Sequence, residues 1–138
     1  LPSEPHVLFL APSEFVDSDH PDIKAFVKAK GGGERDPIAL ALKLFYAVRD
    51  GVLYDPYSVR LDRDHYKASS CLKAGRGYCV VKGCLMTAVA RAAGIPARLG
   101  FADVRNHLAT ERLKRIMGHD LFTYHGFTEL WLDGKWVK

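Results

Sequence analysis

Between Asp36 and Gly51 the apolar residues fall at Ile38, Ala41, Leu42, Phe45 and Val48, with Leu40 and Leu44 widening the stripe. Spacing by threes and fours marks one face of an α-helix. Asp36-Pro37 supplies the entry, an oxygen for the first turn followed by a residue that needs no amide partner, and Gly51 supplies the stop. A shorter helix is predicted over residues 22–30, with Ile23, Phe26 and Val27 on one face, a turn and cap at 18–21 before it and Gly31-Gly32-Gly33 after it. A third, containing Tyr66, Cys71 and Leu72, is expected to start at Asp62 or Asp64 and to end at Gly75. Val52 to Tyr57 is short, aromatic and turn-rich, and the proline-punctuated start, Leu1 to Ser13, reads as a short strand or an extended arm.

From Cys79 the pattern changes. Val80, Val81, Cys84, Leu85, Ala88, Val89 and Ala92 cover more than one helical face before Gly94 and Pro96 end the run, which predicts a central, mostly buried helix. Gly83, four residues after Cys79 and on its face, would let another element approach closely beneath the thiol. Ala97 to Val104 alternates as a strand, and a short helix is predicted from Thr110 to Met117, stopped by Gly118. Leu121 to Leu132 is the clearest strand, and Asp133-Gly134 is a two-residue hairpin signal. That turn pairs Leu132 with Lys135, Trp131 with Trp136 and Leu130 with Val137. Alternation then puts His125, Phe127, Glu129 and Trp131 on one face, with Glu129 opposite Lys138.

At 138 residues, 48% of them hydrophobic and 26% charged, the chain is the size and composition of one ordinary globular domain, with no internal repeat or linker. The net charge of +4 comes from interspersed acids and bases without an aromatic-laced basic stripe, so no nucleic-acid partner is expected. No apolar stretch approaches the roughly 18–20 residues of a membrane span, so no membrane partner is expected either. The three cysteines, an odd count without C-x-x-C spacing, fit reduced thiols and a cytoplasmic location better than a disulfide scaffold. The chain opens on Leu1 and closes inside a returning strand, which reads as a single domain, residues 1–138, truncated at its C-terminal end.

The chemistry converges on one cysteine. Gly75-Arg76-Gly77-Tyr78 leads into Cys79 at a helix start, where unpaired backbone amides and the positive end of the helix dipole favour a thiolate. Cys84 lies further round the same helix and Cys71 in the preceding one, both as packing residues. No two of the Cys and His residues have tight ligand spacing, no acidic calcium loop is visible, and Gly31-Gly32-Gly33 lacks the Lys-Ser/Thr of a phosphate loop, so no metal or other cofactor is expected.

Gly77-Tyr78-Cys79, the exit Arg91-Ala92-Ala93-Gly94-Ile95-Pro96-Ala97-Arg98, and His125-Gly126-Phe127-Thr128-Glu129 followed by Gly134-Lys135-Trp136 together resemble the core of the transglutaminase-like superfamily, over roughly residues 36–138. The resemblance implies an α+β, papain-like fold, with helices on an antiparallel sheet. It makes Cys79 the nucleophile and His125 its general base and acid. It implies acyl transfer on the amides of a peptide or protein substrate, by hydrolysis more than by crosslinking. In the family an Asp or Asn on the strand after the Trp orients the histidine; counted along the hairpin, that position falls two residues past Lys138, opposite Phe127. Gly126 is expected at the substrate, and Tyr78 either walls the site or packs. The rival reading is a non-catalytic module that keeps the fold to bind peptide or protein. Oligomeric state is left open.

Overall fold

The computed structural model describes residues 5–138. Helix α1 (Pro21–Gly31) is capped by His20, whose ring nitrogen accepts the Asp22 amide at 3.2 Å, and is closed by Gly32 in the left-handed region. Helix α2 (Pro37–Gly51) starts where Asp36 accepts the Ala39 amide at 2.8 Å. Its C-terminal carbonyls are held from outside: the Lys82 ammonium donates to Arg49 and Val52, at 3.3 and 2.5 Å. Leu53–Tyr54 (β1) forms a two-residue parallel bridge with Arg76–Gly77 (β2).

The helix expected from Asp62 is divided. Asp62 caps only a 3-10 turn, Arg63–Tyr66, and Lys67 is extended before α3 (Ala68–Ala74) begins. The reason is tertiary. The Ala68 amide donates to the Phe15 carbonyl at 2.9 Å and the Ser69 amide to Asp17 at 3.1 Å, so a distant loop, rather than the preceding turn, caps α3.

Helix α4 (Cys79–Ala92) touches α1, α2 and α3 on one side, and β3 (Ala97–Arg105) and β4 (Leu121–Leu132) on the other. Val81, Leu85 and Val89 of α4 are fully buried, together with Ile23 of α1 and Leu44 of α2. Its all-round apolarity therefore reflects its place between two layers. Gly83 does what its position implied: a Cβ there would stand 2.6 Å from the Leu99 side chain of β3. The Gly83 carbonyl accepts both the Thr87 and the Thr128 hydroxyls, at 2.8 and 3.0 Å, which pins β4 to α4.

The sheet is antiparallel, ordered β3-β4-β5, with β5 at Lys135–Val137. Its hairpin register is the expected one, Leu132 with Lys135, Trp131 with Trp136 and Leu130 with Val137. Helix α5 (Glu111–Met117), capped by Thr110 and stopped by Gly118, links β3 to β4. The expected Glu129–Lys138 pair is not formed. Glu129 accepts a 2.6 Å hydrogen bond from Arg98, its direct partner on β3, while the Lys138 ammonium lies 4.0 Å from the centre of the Phe127 ring.

The start of the chain is not a strand where it is described. Residues 5–10 form 3-10 turns, and residues 1–4 lie outside the described part. These turns are anchored by rings instead of a ladder: His6 stacks on Trp131 at 4.7 Å, and Phe9 meets Trp136 edge-on at 5.2 Å. No helix among the described residues is long and apolar enough to cross a membrane.

The two buried thiols give this core a pH signature. Burial pushes Cys71 up to about 11 and Cys84 up to about 12. In the unfolded chain both ionise near ~8.5, so between that pH and their folded values the unfolded state holds fewer protons and stability falls as pH rises. We predict that the unfolding free energy, measured in a pH scan under reducing conditions, declines above about pH 8 with a limiting slope of about 1.4 kcal/mol per pH unit for each thiol. The Cys71→Ala/Cys84→Ala double variant has a shallower alkaline limb in the same scan.

Candidate active site

Cys79 is the first residue of α4, and Tyr78 before it is extended. The first helical hydrogen bond runs from the Lys82 amide to the Tyr78 carbonyl at 3.0 Å, so helix geometry leaves the three preceding amides without an intrahelical acceptor. All three cysteines are free, but only Cys79 is half-buried; Cys71 and Cys84 are buried. A sulfur sealed in hydrocarbon would have ended any catalytic reading. Cys79 instead lines an open cleft of about 890 Å³ that is also lined by His125.

A backbone contact brings the two together. Where β4 crosses the head of α4, a Cβ built on Gly126 would stand 2.9 Å from the Val80 Cα and 3.2 Å from the Cys79 carbonyl oxygen. Strand and helix are thus as close as two backbones can pack, and His125 is the residue next to the contact. No hydrogen bond joins the Cys79 thiol and the His125 imidazole among the described residues, and no carboxylate bonds the ring. Glu129 is held by Arg98, and Asp133 sits in the hairpin turn with φ +50°.

The strand leading into His125 is irregular. Ala102 pairs with His125, but Val104 pairs with Phe122, so two residues of β4 face one of β3. This bulge puts Tyr124 in the left-handed region at φ +53°, and Asp103 accepts the Tyr124 amide at 3.3 Å. Left-handed backbone costs a non-glycine residue about 1–2 kcal/mol, and bulges re-aim the side chain that follows them. The residue re-aimed here is His125. The uniform alternation expected along 121–132 therefore holds only from His125 onward.

Tyr78 does not line the cleft. Its ring stacks on His65, with centroids 6.4 Å apart, and burial followed by the neighbouring Tyr66 hydroxyl raises its pKa. This is the packing alternative of the two left open for it. Gly126 does line the cleft, through its backbone. Tyr54 was not singled out in the sequence. The β1–β2 bridge sets it opposite Gly77, and it borders the cleft close enough to Cys79 for a thiolate there to raise its pKa, after the larger effect of burial. A two-residue bridge has no periodicity to detect. His107 and His119 are exposed, and among the described residues no group of three His, Cys, Asp or Glu could hold a metal.

The Gly126 contact makes a signed prediction. At an open site Gly→Ala stabilises by about 0.4–1 kcal/mol through the unfolded chain. At this one the methyl meets backbone that cannot swing aside, so Gly126→Ala should lower stability by about 1–3 kcal/mol, read as a lower urea midpoint at unchanged slope.

Comparison with known proteins agrees with this fold. The family model of the transglutaminase-like superfamily, Transglut_core, matches residues 24–138. No curated protein sequence matches the chain. Among solved structures, a "putative cysteine protease" from Cytophaga hutchinsonii superposes with a TM-score of 0.75 at 21% identity, covering 98% of this chain and 41% of that one. A "putative protease" from Parabacteroides distasonis superposes with a TM-score of 0.60 at 16% identity, covering 89% of this chain and 23% of that one. The chain thus spans less than half the length of either neighbour, and at these identities the likeness is one of fold. With the family model running from within α1 to the last residue, over an α+β arrangement in which a helix-head cysteine and a β-strand histidine line one cleft, the chain belongs to the transglutaminase-like superfamily.

Proposed function

We propose that this domain carries out cysteine-dependent amide acyl transfer or hydrolysis, with Cys79 as the nucleophile and His125 as general base and acid. The observation that carries the reading is the packing of Gly126 against the Cys79–Val80 backbone, which puts a thiol and an imidazole on one cleft. The imidazole takes the thiol proton, and the thiolate attacks the amide carbonyl carbon. As the S–C bond forms, the carbonyl oxygen becomes an oxyanion, for which the open amide of Cys79 is the nearest helix-start donor. The imidazolium protonates the leaving nitrogen as the C–N bond breaks, leaving a thioester. Water or an amine, deprotonated by the same ring, then releases the acyl group. The descriptions of both structural neighbours as proteases favour water as acceptor and a peptide or protein as substrate.

A second reading, a binding module that keeps the fold without turnover, is favoured by the missing thiol–imidazole hydrogen bond. Catalytic hydrogen bonds often close only around substrate, which leaves the first reading ahead. Alkylation separates the two. Iodoacetamide at pH 6.5–7, with labelled sites located by mass spectrometry, should modify Cys79 and spare the native Cys71 and Cys84, whose ionisation burial suppresses. His125→Ala should slow labelling of Cys79 at least about tenfold. An unchanged rate would sink the catalytic reading and leave the binding module.

A further inference from the structure

The cleft also has a chemical character. One wall is α2, whose apolar stripe is wider than the core requires. Ala41, Leu44 and Val48 are buried, while Ile38, Leu42 and Phe45 stay 48%, 50% and 44% exposed and line the cleft. The opposite wall is the α4-facing side of the hairpin, Leu130, Leu132 and Val137, and Met86 of α4 joins the lining. Exposed large side chains are ordinary when scattered; these are contiguous, and the groove they form runs to the proposed nucleophile. Its volume, about 890 Å³, is that of a cleft able to take several side chains. The charge around it leans positive: Lys135 and Lys138 stand on the lining against Asp133, its one acid, while the Arg49 guanidinium is paired with Asp50 and the Lys82 ammonium is bonded to the Arg49 and Val52 carbonyls.

We infer that the cleft selects, as its amide substrate, an extended peptide with bulky apolar side chains beside the scissile bond and a carboxylate further along the chain. This specificity rests on the catalytic reading above and goes beyond it by assigning the substrate class. Bulky side chains remove the α2 and hairpin walls from water, and the carboxylate meets the cationic lining. Basic peptides and peptides of small polar residues gain neither contribution.

The test uses three peptidyl vinyl sulfones that differ only in their peptide, Glu-Leu-Phe, Lys-Leu-Phe and Glu-Gly-Ser, with the second-order rate of Cys79 labelling as readout. The Glu-Leu-Phe probe should react at least about tenfold faster than Glu-Gly-Ser and about threefold faster than Lys-Leu-Phe. Leu42→Ser and Phe45→Ala change half-exposed positions away from the reacting groups. Each should cut the rate ratio of Glu-Leu-Phe to Glu-Gly-Ser at least about threefold, a ratio in which any change in the intrinsic reactivity of the thiol cancels. Equal rates for the Leu-Phe and Gly-Ser probes, or a preference both variants leave intact, overturn the inferred specificity; if iodoacetamide labelling still depends on His125, the proposed chemistry stands. Labelling independent of His125 takes down both.

Discussion

A β-strand can lie across the first turn of a buried helix only if no side chain stands between the two backbones. That constraint governs this domain. At Gly126 even a methyl group would come within 3.2 Å of backbone atoms of Cys79 and Val80, and one turn further along α4 Gly83 admits the side chain of Leu99 in the same manner. The Thr87 and Thr128 hydroxyls, both bonded to the Gly83 carbonyl, fix the height at which strand meets helix. A reactive pair drawn from two distant segments needs such fixed crossings, because an error of an ångström in their separation costs orders of magnitude in rate.

Within α4, environment separates cysteines that residue type alone does not. Cys84 points into the core, where the low dielectric disfavours its charged form and raises its pKa to about 12. Cys71, on the neighbouring helix, is buried with the same effect. Cys79 sits one turn before Cys84, at the helix head and on an open cleft. Burial keeps two thiols neutral as packing atoms, and the fold leaves the third where substrate and solvent can reach it.

Much of this was legible in the sequence, for physical reasons that vary by element. The hairpin register follows from Asp133-Gly134 alone, because a two-residue turn leaves the strands no freedom to slip. The bounds of α2 and α4 follow from a capping Asp, a stop at Gly94 and Pro96, and long periodic runs. What escaped was set by partners far along the chain. The division before α3 depends on Phe15 and Asp17, the turns at 5–10 on the rings of Trp131 and Trp136, and the partner of Glu129 on a register that favours Arg98 over Lys138. At the site the sequence pointed to Cys79, His125 and Gly126 but missed Tyr54 and the bulge at Tyr124. The bulge is one inserted residue held by Asp103, and nothing in a run of alternating side chains announces it.

The division of the α2 stripe is the most consequential of the features that pattern alone does not show: Ala41, Leu44 and Val48 are buried, while Ile38, Leu42 and Phe45 are half-exposed. Here the surplus residues face the cleft, so one helix serves both as core and as wall. An apolar wall also bears on the chemistry. Once the side chains of a bound peptide cover it, water is held away, so that a thiolate–imidazolium pair forming at the head of α4 would attract more strongly than it would in bulk solvent. The inferred choice of an apolar substrate and the proposed pairing of thiol and imidazole would therefore draw on one feature of the fold, the surplus apolar face of α2.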